Sequence, residues 1–253
     1  MQLRMEGVEF SYGSDPILRN VGMELGPSEI LGILGPNGSG KTTMMRCING
    51  ILSPQQGRIT LDAEEIRSLP RSDVARNISY VPHNSSGDMI SPNVFEVVLM
   101  GRRPHITWEF GERDREIAWK AMEEMDVKKF AAADFGKLSS GQAQRVLIAR
   151  AMAQEAKILL LDEPTSNLDV KYQIDVMETI HDIVHHKKIG ACAIVHDLDL
   201  AMRFCDKVIL LQDGKIVAAG PTRMVLTPEN IKRVYDVDAV IDESYLRPRV
   251  LIL

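Results

Sequence analysis

No stretch of this 253-residue chain is apolar for long enough to cross a bilayer. A spanning helix takes about 20 consecutive apolar residues, whereas the longest run here, around Ile158–Leu161, suits one buried strand. The N-terminus lacks the basic, apolar and small-residue succession of a secretory signal. Cysteine is scarce, and Cys47, Cys192 and Cys205 are odd in number with no metal-ligand spacing. That excludes a disulfide framework and points to free thiols in a reducing cytosol. No internal repeat or low-complexity linker is present. Nor is there an excess of positive charge, and a formal net charge of −5 argues against a broad nucleic-acid surface. The local basic run His185-His186-Lys187-Lys188 reads as a solvated helix end that suits the helix dipole. What remains, 45% hydrophobic and 26% charged residues, is an ordinary globular composition. The length allows one good core with an inserted lobe.

Apolar runs and turn signals predict strands at Leu3–Phe10, Ile17–Leu25, Ile30–Leu34, Arg58–Leu61 and Ile78–Val81. A helix is expected from Lys41 to about Ile51. From about Ser85 to Gln154 the character becomes helical. Ser91-Pro92 reads as a helix start, a cap residue followed by proline in the first turn. Glu112–Met125 carries Ile117, Ala118, Ala121, Met122 and Met125 at core-packing spacing, and a further helix is expected from Gly141 to about Gln154. Strand and helix then alternate: Ile158–Leu161, Val170 to about His186, Ala191–Val195, Leu198–Phe204, Val208–Leu211. Asp213-Gly214 signals a hairpin into Ile216–Ala219, and Thr227-Pro228 starts a late helix. The pattern implies an α/β fold with a largely parallel, covered sheet. Residues 1–84 and 157–253 are expected to form the core, and 85–156 an inserted helical lobe, within one domain.

Gly35-Pro36-Asn37-Gly38-Ser39-Gly40-Lys41-Thr42 fits the phosphate-loop pattern, with a strand before it and a helix after. Its glycines let backbone N–H groups turn towards phosphates, at the positive end of the following helix. Lys41 would neutralise the outer phosphates and Thr42 would place its hydroxyl on Mg²⁺. Ile158-Leu159-Leu160-Leu161-Asp162-Glu163 is an apolar strand ending in two carboxylates at a sheet edge. There Asp162 would hold Mg²⁺ and Glu163 would act as general base on the attacking water. An acidic pair after a strand is common and weak evidence alone, with a helix cap as the alternative; beside the phosphate loop it is strong. His196, after its own strand, could touch the γ-phosphate; Tyr12, after the first strand, could stack on adenine or merely pack. Ser139-Ser140-Gly141 at a helix start offers N–H groups and a hydroxyl to an anion, or simply caps the helix. This second phosphate grip lies far from the first in sequence, so its natural use is across a dimer.

In this order and spacing the motifs resemble the ATPase subunit of ATP-binding cassette transporters, over essentially the whole chain. The resemblance implies a P-loop NTPase (RecA-like) α/β core with an N-terminal antiparallel β subdomain and an inserted helical subdomain. It makes Gly35–Thr42, with Thr43, the Walker A loop, Ile158–Asp162 the Walker B strand and Glu163 the catalytic glutamate. Leu138-Ser139-Ser140-Gly141-Gln142 is then the signature, Ser166-Asn167-Leu168-Asp169 the D-loop, His196 the switch histidine and Tyr12 the adenine-stacking aromatic. ATP and Mg²⁺ are the implied ligands, held by a head-to-tail homodimer. Two transmembrane permease subunits and, indirectly, an extracytoplasmic binding protein are the implied partners, at the cytoplasmic face of the membrane, with no nucleic acid. Glu96–His105 and Leu226–Asn230 resemble importers of iron–siderophore, haem and cobalamin chelates. A molybdate or tungstate importer and a soluble cassette ATPase of iron–sulfur cluster assembly are the alternatives. Two positions depart from the family pattern: Ser140 replaces a glycine, and His83 stands where glutamine follows Tyr80-Val81-Pro82. Glutamine offers an oxygen to Mg²⁺ or water, whereas histidine offers one nitrogen. Metal contact is therefore open between His83 and its neighbour Asn84.

Overall fold

The structure, a computed structural model, describes residues 1–83, 92–166, 168–244 and 248–253. It opens with an antiparallel pair, β1 (Leu3–Tyr12) and β2 (Asp15–Leu25), joined by a turn at Gly13 and Ser14. Leu3, Met5, Val8 and Phe10 of β1 are buried, with a register shift between Met5 and Val8 that keeps both inside. β3 (Glu29–Leu34) runs into the glycine loop and α1 (Lys41–Ile48). The helix expected to reach Ile51 stops at Ile48, where Asn49 and Gly50 N–H groups turn back to Met45 and Cys47 carbonyls. Ile51 is left exposed.

β4 (Gln56–Leu61) and the short β5 (Glu64–Glu65) complete a four-stranded antiparallel sheet in the order β2-β1-β4-β5. α2 (Arg71–Asn77) leads into β6 (Ile78–Val81). Then come α3 (Val94–Leu99), α4 (Glu112–Glu124) and α5 (Ser140–Ala153), which pack on one another. The start expected at Ser91-Pro92 is corrected to Val94. Asn93 caps α3 by accepting from Glu96 N while donating its own N–H to the Glu96 carboxylate. Ser91 itself, like Asn84 and Asn167, lies outside the described residues. Ala118, Ala121 and Met122 of α4 and the following Met125 are buried as expected, with Ile117 half-buried.

The chain returns through β7 (Ile158–Asp162), α6 (Val170–Lys187), β8 (Gly190–Ile194), α7 (Leu198–Phe204), β9 (Lys207–Gln212) and β10 (Lys215–Pro221). Asp213 and Gly214, both at positive φ (48° and 74°), make the β9–β10 turn. The short α8 (Thr222–Val225) and α9 (Pro228–Tyr235, capped by Thr227) follow, and β11 (Ala239–Asp242) pairs with β12 (Arg249–Ile252).

The central sheet has the order β10-β9-β3-β8-β7-β6, parallel apart from β10. Successive residues of a strand point to opposite faces, and both faces here are apolar. Leu31, Ile33, Ile158, Leu160, Cys192, Ile194, Ile209 and Leu211 face a core shared with α1, β1 and β2. Ile30, Leu34, Leu159, Leu161, Ala191, Ala193, Val208 and Leu210 face a second core built with α5, α6 and α7. A strand buried on both sides has no polar register to keep, which is why these segments read as unbroken apolar runs.

Candidate functional site

β3, β8, β7 and β6 are consecutive neighbours, so their carboxyl ends bring four sequence-distant segments to one edge. β3 delivers the glycine loop, β7 ends on Asp162 and Glu163, β8 leads to His196, and β6 leads to His83. A cavity of about 300–1,000 Å³ suits a small ligand. Here an open cavity of about 690 Å³ is lined by Ile17, Asn37, Gly38, Gly40, Lys41, Thr42, Thr43, His83, Glu163 and His196.

The loop is shaped for an anion. Gly35 has φ +149°, and a Cβ there would fall 2.0 Å from the Leu211 carbonyl oxygen, so only glycine lets the loop pass. α1 begins after Gly40 with no side-chain cap and no carboxylate in its first turn. Its N-terminal N–H groups are left for a ligand. The Ser39 hydroxyl is buried beneath the loop with no hydrogen-bond partner among the described residues. Lys41 Nζ meanwhile donates to the carbonyls of Gly35 (2.8 Å) and Pro36 (2.9 Å), holding the loop's own backbone. Burial lowers the Lys41 pKa, and the Glu163 and Asp162 carboxylates oppose that shift.

Asp162 is almost fully buried; its Oδ1 accepts from Thr42 Oγ1 at 3.3 Å and its Oδ2 from the Tyr80 hydroxyl at 2.9 Å. Burial raises its pKa, countered by the Tyr80 hydrogen bond. Hydroxyl and carboxylate oxygens beside a phosphate loop suit Mg²⁺, which keeps few protein ligands and takes the rest from phosphate and water. Among the described residues, no group of three or more His, Cys, Asp or Glu side chains is placed to hold a metal ion.

Glu163 sits at φ +54°, an uncommon backbone state for a side chain with Cβ. Its carboxylate is held at both oxygens: His196 Nε2 lies 2.7 Å from Oε1 and His83 Nδ1 lies 3.2 Å from Oε2. Tyr12 stands at the end of β1, edge-on to Phe10 at 4.9 Å and 47% exposed, outside the cavity wall. The neighbouring Tyr12 hydroxyl raises the Arg46 pKa.

The signature residues are elsewhere. Ser139, Ser140, Gly141, Gln142 and Asp169 line a second cavity, with Arg145 and Tyr172, that shares no residue with the first. Ser139 caps α5 in a reciprocal box, its Oγ accepting from Gln142 N at 3.4 Å while its own N donates to Gln142 Oε1 at 3.0 Å. An accepting hydroxyl still has its proton to donate. Sequence reasoning missed Tyr80 and Arg46, which belong to apolar-looking segments, and the Ser166 hydroxyl, which joins His83 to the Glu163 backbone. A tyrosine one residue from the end of a strand paired with the acidic strand was the available signal for Tyr80.

The family model described as ABC transporter matches residues 18–166. The chain belongs to the ABC transporter family. An uncharacterized ABC transporter ATP-binding protein of Methanocaldococcus jannaschii is 46% identical, over 96% of this chain and 94% of that protein. The hemin import ATP-binding protein of Bordetella avium is 37% identical, over 94% of each. Among solved structures, one described as a metal-chelate type ABC transporter in an inward-facing conformation matches with a TM-score of 0.86. The identity is 29%, over 99% of this chain and 97% of that one. As a cassette of this family, the chain binds ATP and hydrolyses it to drive transport. Among the described residues, no helix of the cassette is long and apolar enough to cross a membrane.

Proposed function

We propose that this cassette energises import of a metal chelate of the iron–siderophore, haem or cobalamin class, as a homodimer on the cytoplasmic face of two permease subunits. A binding protein outside the membrane would hand cargo to those subunits. The observation that carries the dimer is the separation, within one chain, of two anion-ready helix starts: the cradle at Lys41 and the capped tip at Ser139. One ATP would lie between the cradle of one protomer and the Ser139 tip of the next. The cargo class rests on the hemin import and metal-chelate relatives.

Lys41 would exchange the Gly35 and Pro36 carbonyls for phosphate oxygens. Asn37, Gly38, Gly40 and Thr43 would supply the rest of the cradle, and Tyr12 the adenine platform. Thr42 and Asp162 would hold Mg²⁺, whose charge offsets that of the phosphates. Glu163 would take a proton from water as the water oxygen bonds to the γ-phosphorus and the bond to the β–γ bridging oxygen breaks. His196 would leave Glu163 Oε1 to meet the γ-phosphate. Asp169, beside the signature, would report across the interface. Residues 85–156 would act as the lobe that moves against a core of 1–84 and 157–253 when the dimer closes. Energy for transport is the difference in ATP affinity between open and closed states.

The test is co-expression with a candidate polytopic permease, followed by reconstitution of the complex into vesicles. The proposal predicts co-purification and ATP-dependent uptake of a chelate by vesicles. An active ATPase that co-purifies with soluble scaffold proteins instead would overturn the transport reading.

A further inference from the structure

The histidine at position 83 is wired in a way that favours hydrogen on one of its two nitrogens. Ser166 Oγ lies 2.9 Å from the Glu163 carbonyl oxygen, which can only accept, so the hydroxyl proton is committed there. The same Oγ lies 3.0 Å from His83 Nδ1, and Glu163 Oε2 lies 3.2 Å from that nitrogen. The carboxylate can only accept, and a hydroxyl turned to the Glu163 carbonyl accepts as well, so the arrangement favours hydrogen on Nδ1. With His196 on the other carboxylate oxygen at 2.7 Å, Glu163 is gripped from both sides on a backbone at φ +54°. A carboxylate held at one oxygen only could swing about its last torsion, which is broad and two-fold.

We infer that His83 is a positioning residue for Glu163: its Nδ1–H, kept in that tautomer by Ser166, holds Oε2 while His196 moves between Oε1 and the γ-phosphate. The residue that replaces the family glutamine thus acts on the base rather than on the metal. This inference rests on the ATPase reading of the site for its catalytic consequence, but its structural half concerns the nucleotide-free chain.

Asparagine and glutamine separate the two roles, because an asparagine amide nitrogen falls near the place of Nδ1 and a glutamine amide near that of Nε2. Steady-state phosphate release by the full chain should show His83→Ala slowed roughly tenfold in kcat, short of the 10²-fold that gross misplacement of a reacting group costs. KM for ATP and the Mg²⁺ requirement should stay within about twofold of wild type on the same reasoning. His83→Asn should recover most of the loss and His83→Gln little of it. Independently of turnover, nitrogen-15 spectra of the nucleotide-free wild type at about pH 8, above the ordinary histidine range, should place the His83 hydrogen on Nδ1. Ser166→Ala should weaken that preference. Hydrogen on Nε2, rescue by glutamine but not asparagine, or a His83→Ala defect confined to the Mg²⁺ requirement would each overturn the inference. A wild type that releases no phosphate would instead overturn the ATPase assignment and leave the tautomer result standing.

Discussion

At the scale of single residues, Glu163 carries the heaviest claim. Glu163→Gln keeps the side-chain size but cannot take a proton, so ATP binding should persist while hydrolysis slows by roughly 10²–10⁴-fold. Labelled-nucleotide binding beside a phosphate-release assay checks both halves, and normal turnover would remove Glu163 from the role. The thiols give an opposite kind of residue prediction, one of silence. Burial pushes Cys47 and Cys205 up to about 12, and drives Cys192 higher still. A thiol pKa raised so far leaves almost no thiolate near neutral pH, and the thiolate is the reactive form. A maleimide should therefore label none of the three in the folded chain and all three after unfolding; rapid native labelling would contradict the burial. The phosphate loop, the acid pair and His196 were legible as sequence because each follows an apolar strand that fixes its place. Tyr80, Arg46 and Ser166 were not, since their roles come from tertiary contacts of a strand, a helix and a turn that no local pattern encodes.

At the scale of elements, one buried cation ties the helical segment together. Arg102, 5% exposed, donates from Nε to Asp114 Oδ1 (3.0 Å), and from one terminal nitrogen to Glu155 Oε2 and the Ala153 carbonyl (both 2.8 Å). It so joins the first turn of α4 to the end of α5. Arg102→Met fills the space but leaves Asp114 Oδ1 without its cation, and breaking such a buried pair costs about 3 kcal/mol. The melting midpoint should fall by roughly 6–12 °C, at about 2–4 °C per kcal/mol for a chain this size. Asn93→Ala removes only the α3 cap and should cost about 1 kcal/mol. Equal, negligible shifts for both in a thermal scan would refute this ranking. Periodic or apolar elements were readable from their pattern, as the α6 and β7 boundaries show. Short polar ones were not: β5 is Glu64-Glu65, and α2 is Arg71–Asn77 with only Val74 buried. The β11–β12 pairing escaped for a different reason: its two short apolar segments have no tight turn motif between them.

At the scale of the whole molecule, the proposed dimer would make a single chain half a site, because its two cavities are separate. The hydrolysis-deficient Glu163→Gln chain should therefore double in mass with Mg²⁺ and ATP in light scattering, and return to monomer when the nucleotide is removed. A mass unchanged by ATP would count against closure by nucleotide. The most direct measurement is complementation. Lys41→Ala breaks the cradle and Ser139→Arg blocks the opposite tip, so each variant alone should be inactive. In a mixed dimer one site regains both intact halves, and random pairing should restore about a quarter of wild-type phosphate release. Activity that rises on mixing confirms a triphosphate shared between chains. A mixture no more active than its separate parts, or a Ser139→Arg chain that turns over alone, would contradict it.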